Sequence, residues 1–385
     1  MERTQGYSIS LLNFPVELLH IIISYIPDKR SLIHLSVTNK LFRVLCAPHL
    51  FESLNIPFST AGFNCLLEAS QSWIAPYVKS ISYEACELVD PRKSPIKTPV
   101  PNTNRYNFLV AMDWDSFRSC LYTPAEYVRD RRDLWTSRGR GVTYAKVYSY
   151  FCARSREQQE ILQTDRDIKT LCASLPRFAN LRAVHMRFGD GIPPPFRWFS
   201  GRVLLDGPLS FGSHLEKMAT AMIVAKETGI SISEFRITGF YPRVASEDPC
   251  VWDLTAEALS NVEELHVIDS PAMMECLVPI PLPRLRRLEL GSCWLSCAHL
   301  EAFVYAHAST LRFLHLEDIW LLQVQNDGDG VRLSLASAKS VLQSLSRFRR
   351  SGILQELTIN RRQAGHYEVH EVFDRAEGIS LNMLS

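Results

Sequence analysis

Few residues in this chain have both the type and the spacing that chemistry requires. Cys293 and Cys297 stand four apart with Trp294 between them, but no second Cys or His pair accompanies them at finger spacing. The chain's 10 cysteines therefore read as buried free thiols of a reducing compartment. His299, His307 and His315 recur at eight-residue steps, yet spacing assigns them no acid partner. Asn326-Asp327-Gly328-Asp329-Gly330 has the oxygen-rich start of a calcium loop. Its twelfth position, counted from Asp327, is Ala338 where a bidentate glutamate is needed, so it reads as a surface loop. Gly189 to Pro195 reads as a rigid turn, with a polyproline II patch as the other reading. There is no GxSxG, HExxH, GxxxxGK[ST] or strand-linked GxGxxG. The expectation is a chain with no catalytic residues, no metal ligands and no cofactor, not an enzyme.

Composition narrows the alternatives. The 385 residues are 46% apolar, enough for a large core and two or three domains. Lys plus Arg total 42 and Asp plus Glu 41, a net charge of +1 without the concentrated basic face that nucleic acid demands. The dense charge at 126–140 reads as a solvated helix surface. No apolar run reaches the length of a membrane span, and the start Met-Glu-Arg-Thr-Gln-Gly introduces no signal peptide. Neither nucleic acid nor membrane is expected as a partner, and the expected location is cytoplasmic or nuclear.

The useful pattern is repetition. Leu181-Arg-Ala-Val184-His-Met186 has the form apolar-x-x-apolar-x-apolar. The form recurs at Val262-Glu-Glu-Leu265-His-Val267, Leu285-Arg-Arg-Leu288-Glu-Leu290, Leu311-Arg-Phe-Leu314-His-Leu316 and Leu354-Gln-Glu-Leu357-Thr-Ile359, with a degenerate copy around Phe235. The last two apolar positions share one face of a strand. Leu265 to Leu288 is 23 residues, Leu288 to Leu314 is 26 and Phe235 to Leu265 is 30; Leu54 to Ile81, upstream, is 27. Helical periodicity fills the intervals at 214–226, 297–305 and 336–348, and upstream at 63–73, 142–163 and 165–175. A strand and a helix at such a period predict a stacked array with parallel strands on one side and helices on the other.

A second pattern precedes it. Val16, Leu19, Ile22, Ile23 and Ile26 have helical spacing, followed by Leu32, Leu35, Leu41, Phe42 and Leu45. Pro15 suits a first helical turn, Pro27 stops the first helix, Ser31 can cap the second and Pro48 closes it. Phe14, Leu18 and Ile21 lie off the main face, so a second apolar surface needs a cover.

This stretch resembles an F-box motif. Phe14-Pro15 stands at its usual Leu-Pro start, then come Glu17-Leu18-Leu19, Ile22, Tyr25-Ile26, the Leu32 to Leu35 run and Asn39-Lys40-Leu41-Phe42-Arg43. The repeats resemble the divergent leucine-rich repeats behind F-box motifs in fungal proteins, with most of the asparagine or cysteine ladder absent. The resemblance implies an α/β chain: an F-box helical motif at 11–58, linking helices and an insertion at 59–172, and an irregular leucine-rich-repeat solenoid with parallel strands at 173–385. It implies a substrate-recognition subunit of an SCF-type cullin–RING ubiquitin ligase. Phe14, Pro15, Leu18, Leu19, Ile22, Leu32, Leu35, Leu41, Phe42 and Leu45 would form the Skp1-binding set, some of them internal core, with a cullin reached through Skp1. A target protein would lie on the outward strand positions His185, Arg236, His266, Glu289, His315 and Thr358, flanked by Arg287 and Arg312. The alternative is a non-ligase scaffold using the same F-box–Skp1 contact; an enzyme with a pocket in the 86–199 region is a third reading.

Overall fold

The computed structural model describes residues 11, 14–88, 144–189, 191–193, 196, 207–240, 249–270, 273–326, 331–335, 347–348, 352, 354–362 and 368–373. All but the last two residues of the expected helix at 336–348, the charged segment at 126–140, most of the 86–108 insertion and the centre of the Asp327 loop lie outside them.

Three short helices open the chain: α1 (Val16–Ser24), α2 (Lys29–Thr38) and α3 (Lys40–Leu50). Pro15 stands just before α1 in extended conformation, and its carbonyl accepts from Leu19 N at 3.1 Å. Asp28, not Ser31, caps α2: its carboxylate accepts from the Arg30 and Ser31 backbone N–H groups at 3.1 and 2.8 Å. The second apolar run is broken at Asn39, whose extended backbone ends α2 and whose side chain accepts from Leu41 N to start α3. Pro48 lies inside α3 instead of ending it. Leu19, Ile23, Leu32, Phe42, Leu45 and Cys46 form a core of their own, separate from the main one.

The rest is a regular alternation. Strands β1 (Ser53–Pro57), β2 (Ser80–Cys86), β3 (Ala183–Gly189), β4 (Glu234–Thr238), β5 (Glu264–Ile268) and β6 (Arg287–Gly291) line up in chain order. After β7 (Trp294–Ser296), which sits elsewhere, β8 (Phe313–Glu317) continues the sheet; β9 (Trp320–Asn326) and β10 (Val331–Leu335) do not belong to it, and β11 (Glu356–Arg362) and β12 (Glu368–Phe373) finish it. Within this sheet every pairing from β1 to β11 is parallel, and β12 returns antiparallel. Helices α4 (Thr60–Gln71), α5 (Tyr144–Gln163), α6 (Arg166–Ser174), α7 (Gly207–Glu227), α8 (Pro249–Leu259), α9 (Met273–Leu277) and α10 (Cys297–Ala306) fill the crossovers. The architecture is an alternating α/β array with a parallel, sequentially ordered sheet.

The repeat anchors read from the sequence are direct cross-strand partners. Leu54 faces Ile81, Ile81 faces Val184, and the row continues through Phe235, Leu265, Leu288, Leu314 and Leu357. From Ile81 onward each is buried, as are the preceding anchors Val78, Leu181, Ile232, Val262, Leu285, Leu311 and Leu354. Each such burial contributes about 1.5–3 kcal/mol.

Two backbone devices recur with the unit. One carbonyl before each strand accepts from two successive N–H groups of the next: Glu52 from Lys79 and Ser80, Lys79 from Arg182 and Ala183, and so on through Arg182, Ser233, Glu263, Arg286 and Arg312. At the other end, Gly239, Asp269, Ser292 and Asp318 follow β4, β5, β6 and β8 with positive φ, turning the chain toward the helical side. At Gly239 only glycine fits, because an added Cβ would meet Phe188 O at 2.5 Å.

The array starts earlier than expected. The strand at Ser53–Pro57 belongs to the sheet, so the helical motif ends near Leu50, not 58. Strand β2 also precedes the expected boundary at 173, and the segment between β2 and β3 is an insertion within the array. Sequence periodicity did not reveal β7, β9 and β10, which form a small separate sheet. There Trp294 and Trp320 stack with centroids 5.8 Å apart.

Candidate functional site

Two surfaces stand out, and each follows from how its element folds. The first is on α1 to α3. Of the 13 exposed large apolar side chains among the described residues, 10 lie on these helices or beside α1: Leu11, Val16, Leu18, Ile21, Ile22, Tyr25, Ile33, Val37, Leu41 and Val44. Tyr25 is 81% exposed and Val37 67%. So many exposed apolar side chains within one short stretch exceed the scatter of single apolar residues that any surface carries.

The ten residues expected at an adaptor interface divide between surface and core. Pro15, Leu18, Ile22 and Leu41 are exposed, and Phe14 and Leu35 are half-buried. Leu19, Leu32, Phe42 and Leu45 are enclosed in the small core and present no side chain to a partner. They act by holding the three helices together. The surface instead includes Val16, Ile21, Tyr25, Ile33, Val37 and Val44. Their signal was the surplus of apolar residues beyond one stripe, which points to a second face without identifying its members.

The second surface is the sheet face not covered by helices. His185 faces Arg236, Arg236 faces His266, His266 faces Glu289, Glu289 faces His315 and His315 faces Thr358. All six expected positions therefore form one continuous row across β3, β4, β5, β6, β8 and β11. Alternation in each strand puts Glu234, Glu264, Arg287 and Phe313 on the same face, two residues earlier.

The row is tied together by polar contacts, most of them between neighbouring strands. His185 Nε2 donates to Glu234 Oε1 at 3.1 Å. His266 Nδ1 lies 2.7 Å from Glu289 Oε2, and this bond holds the Glu289 carboxyl below the usual carboxylate range. Burial pushes the His185 imidazole below its ordinary value, against the pull of Glu234. The Arg287 guanidinium lies over the Phe313 ring at 4.8 Å. Thr358 Oγ1 donates to Glu356 Oε1 at 3.2 Å. Arg312 is spent elsewhere: its nitrogens donate to the carbonyls of Ala308, Leu311 and Ser309 behind α10.

The other chemical candidates resolve as structure. Cys293 is buried, with Sγ 3.0 Å from Gly291 O, and Ser270 N lies 3.5 Å from that sulfur. The Ser270 hydroxyl accepts from Phe240 N at 2.9 Å. Ser270 and Cys293 are thus a two-rung polar ladder joining successive units just after the strands. His307 is buried: Nδ1 donates to Phe303 O and Nε2 accepts from Leu282 N. His299 and His315 do not join it in a cluster. Among the described residues no group of His, Cys, Asp and Glu is arranged to hold a metal ion. No described helix is long and apolar enough to cross a membrane. Aromatic side chains exposed on an interaction surface can anchor a partner; Phe196 instead stacks on Tyr150 at 4.3 Å and Trp252 packs on the main core. Trp294 is exposed, and Trp198 and Phe199 lie outside the described residues.

No protein-family profile matches the chain, and no curated protein matches it in sequence.

Proposed function

We propose that this chain is the substrate-recognition subunit of an SCF-type cullin–RING ubiquitin ligase, an F-box protein whose array is of the divergent leucine-rich-repeat kind. The observation that carries the reading is the concentration of exposed apolar side chains on three helices that possess their own small core. A folded unit that exposes Leu18, Ile21, Ile22, Ile33 and Val37 together is stable in water but keeps apolar area for a second chain. The F-box resemblance supplies the partner: Skp1, and through it a cullin. The parallel array supports the second half of the reading, because a stacked sheet presents one long row of side chains to a target. The chain then makes and breaks no covalent bond itself; it contributes proximity between target and conjugating enzyme.

The test is co-expression with Skp1. Wild-type chain should co-elute with it as a stable complex, and Leu18→Asp/Ile22→Asp should not, while its circular dichroism and unfolding midpoint stay within error of wild type. A folded double variant that still co-elutes, or a wild type that never does, overturns the adaptor contact. Reconstitution with cullin, RING subunit and conjugating enzyme then separates ligase from scaffold: only a ligase subunit directs ubiquitin onto a bound target.

A further inference from the structure

We propose that the open sheet face seats a basic side chain, lysine or arginine, of an extended target segment in a socket made by Glu234, Glu264 and His266. The inference rests on the target-binding reading of that face and adds the chemistry of what it recognises.

His266 is only 6% exposed and lies at the floor of the socket. Its Nδ1 lies 2.7 Å from Glu289 Oε2 and 3.4 Å from Arg236 Nη2; the carboxylate is the nearer and can only accept, so Nδ1 donates to it. The other ring nitrogen, Nε2, is buried and has no hydrogen-bond partner. It points between two carboxylate oxygens, Glu234 Oε1 at 3.8 Å and Glu264 Oε2 at 3.9 Å. Neither is close enough for a hydrogen bond. Arg287 Nε approaches Glu264 only to 3.6 Å. Glu234 Oε1 already accepts from His185 Nε2, but no donor lies within hydrogen-bond distance of His266 Nε2, and a buried nitrogen left without a partner costs free energy. On β4, β5 and β6 the face carries Glu234, Glu264 and Glu289 against Arg236 and Arg287, an excess of negative charge. No metal-holding arrangement exists among the described residues, which leaves an N–H donor with positive charge as the fitting group. An ammonium or guanidinium seated there donates to the unpartnered Nε2 and lies against both carboxylates. Arg236 adds the complementary need: its Nε is buried without a partner, and a backbone carbonyl of the same target segment would supply the acceptor.

The experiment uses the full chain and fluorescent peptides of equal length that are basic, neutral or acidic, read by anisotropy. The basic peptide should bind at least about tenfold tighter than the acidic one, and Glu234→Gln/Glu264→Gln should weaken it by about tenfold or more. Glu356→Gln, a charge removed from the same face on β11, should change it less than about twofold. Skp1 capture, measured in parallel, should be unaffected by all three substitutions. Equal weakening by Glu356→Gln would show a general field and overturn the socket. An acidic preference, or basic binding undisturbed in the folded double variant, would overturn it too. Loss of Skp1 capture by wild type would instead count against the adaptor reading.

Discussion

His266 and Glu289 are direct register partners on β5 and β6, and their side chains meet with Nδ1 2.7 Å from Oε2. A cross-strand bond to a charged group is worth about 1.5–3 kcal/mol. Glu289→Gln should therefore destabilise the array by about 1–2 kcal/mol at neutral pH, measured by urea unfolding. The carboxyl is held below its ordinary value in the folded state, because His266 donates to it. Its contribution is complete above the unfolded carboxylate value and is lost as pH falls through the folded one. The stability gap between wild type and Glu289→Gln should accordingly narrow in acid. A gap that stays constant as pH is taken through and below the ordinary carboxylate range would mean the bond does not stabilise the folded state.

His214 gives a larger acid effect. The ring is buried on the helical side; Tyr83 Oη–H donates to Nδ1 at 2.9 Å and Nε2–H donates to Cys86 O at 3.0 Å. Burial, reinforced by Lys217, lowers its pKa from 6.5 to about 3. The unfolded chain binds a proton that the folded one refuses, so stability is full above the unfolded value and falls as pH drops toward 3. The slope approaches about 1.4 kcal/mol per pH unit. His214→Gln should flatten this limb in urea titrations run from neutral to mildly acidic pH. An unchanged limb would place the acid sensitivity in another group.

Much of the fold was legible because its code is local. Leu265, Leu288 and Leu314 sit in the same place of a short apolar-x-x-apolar-x-apolar phrase, and that phrase both makes the strand and sets its register. The row His185 to Thr358 followed from alternation alone. Strands β1 and β2 were assigned to other domains because the insertion between Ser80 and its partner Ala183 hides the period. Strand β7 is three residues long, too short to show alternation. On α1 the turn angle separates Leu19 and Ile23, which face the core, from Ile22, which does not. The sequence shows that both sets are apolar, but only packing against α3 says which set is spent. The Ser270 to Cys293 ladder is hard to read from sequence because only Cys293 matches the asparagine or cysteine expected there, and its other rung is a serine.

Asp167 on α6 and Lys217 on α7 form a buried ion pair with Nζ 2.5 Å from Oδ2. Asp167 is fully enclosed, and its other oxygen accepts from Ile168 N. Lys217→Met removes the ammonium and leaves a buried carboxylate, which should cost about 3–5 kcal/mol. Asp167→Leu/Lys217→Met removes both charges and should recover most of that loss. Urea midpoints of the single and double variants check this. A double variant as unstable as Lys217→Met alone would show that packing, not charge, sets the cost.

The division of the first helix into a core and a free face makes the sharpest contrast. Leu19 and Ile22 lie three residues apart, yet Leu19 is 1% exposed and Ile22 41%. Leu19 packs with Ile23, Leu32, Phe42 and Leu45, so Leu19→Ala should destabilise the helical unit by about 2–5 kcal/mol. Ile22→Ala deletes no core contact and should cost under about 0.5 kcal/mol. On the proposed adaptor contact, the two should affect Skp1 capture by different routes. Ile22→Ala should weaken it with the helices intact, raising the dissociation rate. Leu19→Ala should weaken it only as far as the helical unit unfolds, and lower temperature or a stabilising osmolyte should restore capture. Amide exchange across residues 16–50 separates the routes: protection should collapse for Leu19→Ala and persist for Ile22→Ala. Collapse in both would mean that the face assigned to a partner is holding the unit together instead.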